Sequence, residues 1–343
     1  MKNSLLSILL FALLSFSIPL IGLLPTSGEA NAADAYPEKP TLFAPLKGSD
    51  IPFLVPPAQE KADYSESVLL KNASTGSLIT VSPLEYMIGA VASEIPANWP
   101  EEALKAQAIA SHSYVLYMRD QQTEEKRGEG WISVDPARRQ GFMTKEALQS
   151  YWGDSFHTNW TRLEALFAPL QNTVLLYEGK PAAAAYHAMS SGHTEASQNV
   201  WNEALPYLCG VDSLWDLSAE GYAQTITYTT QQMYDALALN FAGLEPKGNP
   251  ADWFGTAETT PAGYVQSIAC GGSFLRGCDV RWALGLRSSC FSISFTDNVF
   301  VVTTRGYGHG VGLSQWGAKA MAEEGKTAAD ILGYYFPGTE LTA

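Results

Sequence analysis

Two prolines, Pro83 and Pro96, bracket a stretch in which Leu84, Met87, Ile88, Val91 and Ile95 recur at the spacing of one helical face. Proline is tolerated in the first turn of a helix, and the residue before a proline is pushed out of the helical region, so the stretch must start and stop near these two positions. A second helix is predicted to follow at once. Asn98 stands as its cap and Glu101, three residues on, completes a capping box, with Pro100 in the first turn. This helix should run to about Met118. Its Ala103, Ala106, Ala108, Ala110 and Ser111 are small enough to let neighbouring elements approach closely.

Around this helix pair the pattern is mixed. Ser67–Leu70 and Leu78–Val81 flank a Thr75-Gly76 turn and read as a hairpin. Gln121–Gly130 reads as a charged loop. Leu166–Tyr177 and Ala182–Ala188 read as extended runs joined by a Glu178-Gly179 turn, Gln231–Phe241 as a helix, and the Gly/Pro-rich Ala242–Gly263 as a surface excursion. Val265–Ala269, Phe291–Phe295 and Val299–Thr303 are strand candidates. Helices from Leu313 to about Glu324 and from Thr327 to Phe336 close the chain. No internal repeat is visible and βαβ alternation is lacking, so the expected class is α+β, as a single mixed domain over residues 64–343.

The segments before this domain carry an address. Lys2 precedes an apolar run from Leu5 to Leu24, broken only by serines, Pro19 and Gly22. A run of about 20 residues can span a bilayer, while Ala30-Asn31-Ala32 matches a signal-peptidase site. Residues 1–32 are therefore either a retained membrane anchor or a cleaved signal peptide, and both readings place the domain outside the cytoplasm, anchored or secreted. Residues 33–63, with Pro37, Pro40, Pro45, Pro52, Pro56 and Pro57, read as a proline-rich linker. Cys209, Cys270, Cys278 and Cys290 suit an oxidising exterior, either disulfide-bonded or as buried thiols. The net charge of −14, from 21 Lys+Arg against 35 Asp+Glu, argues against nucleic acid as a partner. Any substrate must be recognised by shape and hydrogen bonds.

Glu94 is the leading candidate for chemistry. It lies at the edge of an apolar helical face and in the last turn before Pro96. Partial burial and the negative helix end both disfavour the carboxylate, which would raise its pKa as a general acid requires. The plain alternative is a surface glutamate near a helix end. Lys105 could orient a carboxylate or a sugar substituent, or simply reach solvent. The segment from Tyr186 to Glu195, with His187, Ser190, Ser191 and His193, gathers polar and aromatic groups behind an apolar run. His187 and His193 are not at the i, i+4 spacing of a helical zinc site, and no metal or other cofactor is expected. Trp201 and Trp215 could stack on sugar rings or belong to the core. In Gly306–Gly312 the spacing fits neither phosphate-binding loop, yet the glycines allow a ligand near the backbone, with His309 and Gln315 as polar contacts; a tight structural turn is the alternative.

Taken together, these motifs resemble a family. Ser82-Pro83-Leu84-Glu85-Tyr86-Met87-Ile88-Gly89, Ala92-Ser93-Glu94-Ile95-Pro96 and Glu102-Ala103-Leu104-Lys105-Ala106-Gln107-Ala108 are similar to the stage II sporulation protein D family. So are Ala185 through Glu195, Val200-Trp201, Pro206-Tyr207-Leu208, Leu284-Gly285-Leu286-Arg287-Ser288 and Gly306 through Gly317. The resemblance implies a lytic transglycosylase acting on peptidoglycan during engulfment in sporulation. It places the essential glutamate on Glu94, the characteristic lysine on Lys105, and substrate-side tyrosine and serine on Tyr186 and Ser190. It also implies a partner amidase, stage II sporulation protein P, that strips stem peptides from the glycan strands first. Some relatives bind zinc through Cys and His after the second helix; here no Cys or His lies between Ser113 and Phe156. His112-Ser113-Tyr114 departs from the common Arg-Thr-Tyr type triplet, which removes the ground for a positive charge there.

One carboxyl group suffices for such chemistry. It would protonate the glycosidic oxygen between N-acetylmuramic acid and N-acetylglucosamine, then take the proton of the muramoyl C6 hydroxyl as that oxygen closes on C1. A hydrolase would normally need a second carboxyl group across the bond. Tyr186, Ser190, Lys105 and His309 are the expected positioning groups. The rival expectations are a non-catalytic amidase enhancer that binds wall and a wall-binding module of a larger complex.

Overall fold

The computed structural model describes residues 63–201 and 203–342. The export segment expected over residues 1–32, and all but the last residue of the linker expected over 33–63, lie outside the described residues. Among the described residues no helix is long and apolar enough to cross a membrane.

The first strands are the expected hairpin. β1 (Val68–Asn72) runs antiparallel to β2 (Leu78–Val81), with Val68 opposite Val81 and Lys71 opposite Leu78. The connection turns at Gly76, whose φ of 73° suits glycine. β3 (Ile132–Val134) adds in parallel on the other side of β1. A parallel neighbour requires a crossover, which α1 (Pro83–Glu94) and α2 (Glu101–Asp120) supply.

The boundaries of α1 follow its sequence. Ser82 Oγ accepts from Glu85 N at 3.2 Å while Ser82 N donates to Glu85 Oε2 at 3.0 Å, a complete capping box. At the far end Ile95, preceding Pro96, is extended at φ −131°, ψ 153°. The capping box expected at Asn98 is not formed. Trp99 N donates instead to Pro96 O at 3.1 Å, and Pro100 occupies the cap of α2 without a side-chain bond. The turn after Pro96 thus delays the start of α2 beyond the reach of Asn98.

α2 is covered on two sides. Leu104 and Ala108 share a cluster with Met87, Ile88 and Val91 of α1, and with helices α3 (Lys145–Trp152) and α4 (Phe156–Phe167). Ala103, Ala106 and Ala110 pack with the two final helices, described below. α4 corrects the extended run expected from Leu166. Trp160, Leu163 and Phe167 form its buried stripe, so the chain is helical through Phe167 and only Leu175–Tyr177 forms a strand, β4. β4 turns through Glu178 (φ 49°) and Gly179 (φ 75°) into β5 (Lys180–Pro181). Of the run expected to extend over Ala182–Ala188, only Tyr186–His187 is a strand, β6. The expected loop at Gln121–Gly130 includes a short helix, Glu124–Arg127.

Residues 223–305 build a second core. β7 (Ala223–Thr229), α5 (Thr230–Asn240), β8 (Phe254–Thr259), β9 (Val265–Cys270), β10 (Ser273–Arg276), α6 (Gly277–Ala283), β11 (Phe291–Thr296) and β12 (Val299–Arg305) follow in order. They form two antiparallel sheets, β11-β12-β7 and β10-β9-β8. β8 corrects the surface excursion expected over Ala242–Gly263. Trp253, buried against Phe300 with ring centroids 5.4 Å apart, draws that segment onto the core. All four cysteines are unpaired, and Cys270 and Cys290 are buried.

The chain then returns to the first core. β13 (Leu313–Ser314) pairs in parallel with β6, setting Leu313 beside Tyr186, so the helix expected from Leu313 begins only at Gln315. α7 (Gln315–Glu323) and α8 (Ala328–Tyr335) place Ala318, Met321, Ile331 and Leu332 against the alanines of α2, and β14 (Glu340–Leu341) pairs with β4. Helices and strands occupy separate stretches of one mixed architecture, an α+β fold.

Candidate active site

Glu94 closes α1, and Pro96 prevents another turn from covering it. The side chain is half-buried, and its Oε2 accepts from Gln315 Nε2 at 3.4 Å. Gln315, the first residue of α7, is 5% exposed. The same Nε2 donates to Gln107 Oε1 at 3.3 Å, and Gln107 Nε2 reaches Ser111 Oγ at 3.1 Å. Gln107 and Ser111 stand one turn apart on α2, between its two alanine- and leucine-lined faces. A buried line of amides and a hydroxyl therefore runs from the middle of α2 to the Glu94 carboxylate. The bonds are long, so each is weak alone and the line acts as a network.

Two phenols lie within the field of that carboxylate. Burial, then Tyr114 and the Glu94 charge, push Tyr86 above the usual tyrosine range, and its hydroxyl donates to Ser111 O at 3.4 Å. Burial first and Glu94 second raise Tyr186 well above its ordinary value. Tyr186 stays a neutral O–H group at any physiological pH, able to donate to an oxygen. The parallel pairing of β6 with β13 brings it near Gln315, which follows β13 directly.

The other residues singled out in the sequence are distributed differently. Lys105 is half-buried and pairs with Glu102 at 2.8 Å. Two residues from Gln107, it lies on roughly the opposite side of α2. His187 is 4% exposed, and its Nδ1 donates to Val311 O at 3.1 Å. His309 Nδ1 accepts from Val311 N at 3.0 Å, and the two imidazoles lie with centroids 5.6 Å apart and planes inclined at 60°. Burial lowers His187 to about 4; burial, then His187 and Arg281, lower His309 well below the usual value. Both rings are neutral and held by the backbone of one residue.

Ser190 is fully buried, and both its N and its Oγ donate to Asp216 Oδ2, at 2.8 and 2.6 Å. Ser314, the cap of α7, donates to the other oxygen of Asp216 at 2.7 Å. Ser191 Oγ donates to Ala262 O at 2.7 Å. Glu195 is 2% exposed, and its carboxylate accepts from Ala196 N, Asn199 Nδ2 and Thr260 Oγ1 at 2.8, 2.7 and 2.6 Å. Ser190, Ser191 and Glu195 thus tie the 186–195 segment to its surroundings. The structure brings Glu94, Tyr186 and Gln315 together, sets His187 beside His309 with their ring planes 60° apart, and keeps Lys105 apart.

Sequence reasoning passed over Gln107, Ser111 and Asp216. Gln107 carried a usable signal, as an amide among the small residues of α2. Asp216, between Trp215 and Leu217, carried none. Among the described residues no three His, Cys, Asp or Glu side chains come together to hold a metal ion.

The family described as stage II sporulation protein matches residues 72–177, which include Glu94 and Gln107 but not Tyr186 or Gln315. Stage II sporulation protein D of Bacillus subtilis (strain 168) is 36% identical over 258 residues, 75% of this chain and 74% of its own length. The protein of that name from Bacillus amyloliquefaciens is 33% identical, over 80% of this chain and 78% of its own. An amidase enhancer of Bacillus subtilis is 25% identical over 74% of this chain, but over 40% of its own length. Two sporulation relatives, each more than 30% identical and aligned over about three-quarters of both chains, settle the kinship: the chain belongs to the stage II sporulation protein D family, a sporulation family related to an amidase enhancer.

Proposed function

We propose that the protein is a lytic transglycosylase that cleaves peptidoglycan glycan strands between N-acetylmuramic acid and N-acetylglucosamine, leaving 1,6-anhydro ends. The observation that carries this reading is the seat of Glu94: half-buried at a helix end and hydrogen-bonded to a buried glutamine from the far end of the chain. Protonated, Glu94 donates to the glycosidic oxygen as that bond breaks. As carboxylate it accepts the C6 hydroxyl proton while the C6 oxygen bonds to C1, so one group serves both halves of the reaction. Gln315 holds the carboxylate in place through both halves, and neutral Tyr186 donates to a sugar oxygen. Lys105, on the other side of α2, orients the chain away from the reacting bond.

The substrate is peptide-stripped glycan, supplied by a partner amidase such as stage II sporulation protein P. The domain works outside the cytoplasm, held or exported by the N-terminal segment. Incubating the full chain with peptide-free glycan strands and reading the ends by mass tests this: anhydro-muramoyl products support it, and unchanged strands contradict it. A second reading is favoured by the amidase-enhancer relative. In that case the protein binds the same strands without cutting them, and stimulates amidase release of stem peptides with Glu94→Gln as well as with the wild type.

A further inference from the structure

Two indoles join the same two segments that meet at Glu94. Trp99 lies in the turn that follows α1, five residues beyond Glu94, and Trp316 follows Gln315 on α7. Their rings stand edge to face, with centroids 5.6 Å apart and planes 68° apart. Both are half-buried, unlike Trp131, Trp160 and Trp253, which are 6%, 8% and 7% exposed. Both are also held on fixed backbone. Arg162 of α4 donates through Nη1 to Ala97 O at 2.6 Å and through Nη2 to Trp99 O at 3.1 Å. Trp316 N donates to Ala188 O at 3.0 Å, and the Lys319 ammonium lies 5.5 Å from the centre of its ring.

We propose that Trp99 and Trp316 form an indole corner beside Glu94 that binds an N-acetylhexosamine, one ring stacking on the apolar face of the pyranose and the other meeting its acetamido methyl. The inference rests on the reading of Glu94 as the acid and base that cleaves a glycan strand, and adds which residues recognise the N-acetyl group of its sugars. An indole face attracts the axial C–H bonds of a pyranose, and a wall at 68° leaves room for a small apolar substituent in the angle. A plain hexose carries a hydroxyl there, which would lose its water without gaining a partner. The pinned carbonyls of Ala97 and Trp99 keep the corner preorganised, so little ordering opposes binding. For a chain of net charge −14, selection by stacking also fits a substrate that bulk attraction would not bring in.

Calorimetric titration of the full chain with tetra-N-acetylchitotetraose and with cellotetraose tests the corner. The acetylated sugar should bind more tightly. Trp99→Ala and Trp316→Ala should each weaken it by about tenfold, near 1.4 kcal/mol, while the phenylalanine variants retain most of the affinity. Glu94→Gln should bind as the wild type does, which separates this inference from the catalytic one: loss of cleavage with binding intact leaves the corner standing. Equal affinity for the two sugars, or alanine variants that stay folded and bind normally, would overturn it. Should the alanine variants fail to fold, oxidation of the wild type by N-bromosuccinimide decides. Chitotetraose should protect Trp99 and Trp316, and unchanged reactivity at both contradicts the proposal.

Discussion

Gln315 Nε2 donates to Glu94 Oε2 at 3.4 Å, joining residues 221 positions apart in the chain. The contact depends on the packing of α7 against α2, since the same nitrogen also reaches Gln107. A carboxylate that must give and take a proton within one turnover gains from being held in one orientation. Gln315→Ala should therefore lower kcat by about tenfold to a hundredfold, with a smaller change in KM. Gln107→Ala should do less. Because the two amides act in one line, the double variant should lose less than the two single losses combined, a coupling that steady-state assays on peptide-free strands would read.

Asp216 has the larger part in stability. It is fully buried and receives Ser190 N, Ser190 Oγ and Ser314 Oγ. Removing the acceptor leaves those donors unsatisfied. Asp216→Ala should destabilise the protein by about 2–4 kcal/mol in urea unfolding, with Asp216→Asn in between. Through Ser314, which caps α7, the loss should reach Gln315 and lower activity in whatever fraction stays folded.

Acid should unfold the protein through its histidines. Burial lowers His112 to about 4, against a Thr173 backbone bond that raises it, and His187 also to about 4; burial, then His187 and Arg281, hold His309 well below its usual value. Each is neutral when folded and takes a proton when unfolded, so the unfolded chain binds more protons below the ordinary value of 6.5. Their stabilisation is present above pH 6.5 and is lost as pH falls toward 4, with a slope approaching about 4 kcal/mol per pH unit for the three together. Asp216, raised by burial against the bonds from Ser190 and Ser314, acts in the opposite sense. Urea midpoints between pH 7 and 4 should fall steeply, and His187→Gln should flatten the curve.

Gly89 fixes how closely α1 meets the segment before α3. A Cβ there would meet the Phe142 ring and the Met143 carbonyl inside van der Waals distance. Met143 N also donates to Gly89 O at 3.1 Å, so the backbone cannot withdraw freely. Gly89→Ala should cost about 1–3 kcal/mol despite the better helix propensity of alanine, measurable as a lowered Tm.

Local punctuation was the legible part of this chain. Pro83, Pro96 and the Glu178-Gly179 and Thr75-Gly76 turns mark boundaries because proline and glycine limit the backbone wherever they stand. Glu94 could be singled out for the same reason. The cap of α2 misled because Asn98 satisfies the local pattern while the turn from Pro96 to Trp99 moves the helix start. The stripe of Trp160, Leu163 and Phe167 runs into an apolar stretch that imitates a strand, and β8 hides behind glycines that Trp253 anchors from inside the core. The partners of Glu94 were beyond reach. That Gln315 and Gln107 would meet depends on β13 finding β6 and α7 finding α2, which are long-range pairings with no local mark.

Proton transfer in the proposed cleavage depends on Glu94 alone. Glu94→Gln keeps the shape of the side chain and an acceptor oxygen for Gln315, but cannot shuttle a proton. Mass analysis of peptide-free glycan strands after incubation with wild type and variant should find anhydro-muramoyl ends with the first and none with the second, at equal Tm. Anhydro ends released by Glu94→Gln at the wild-type rate would contradict the account.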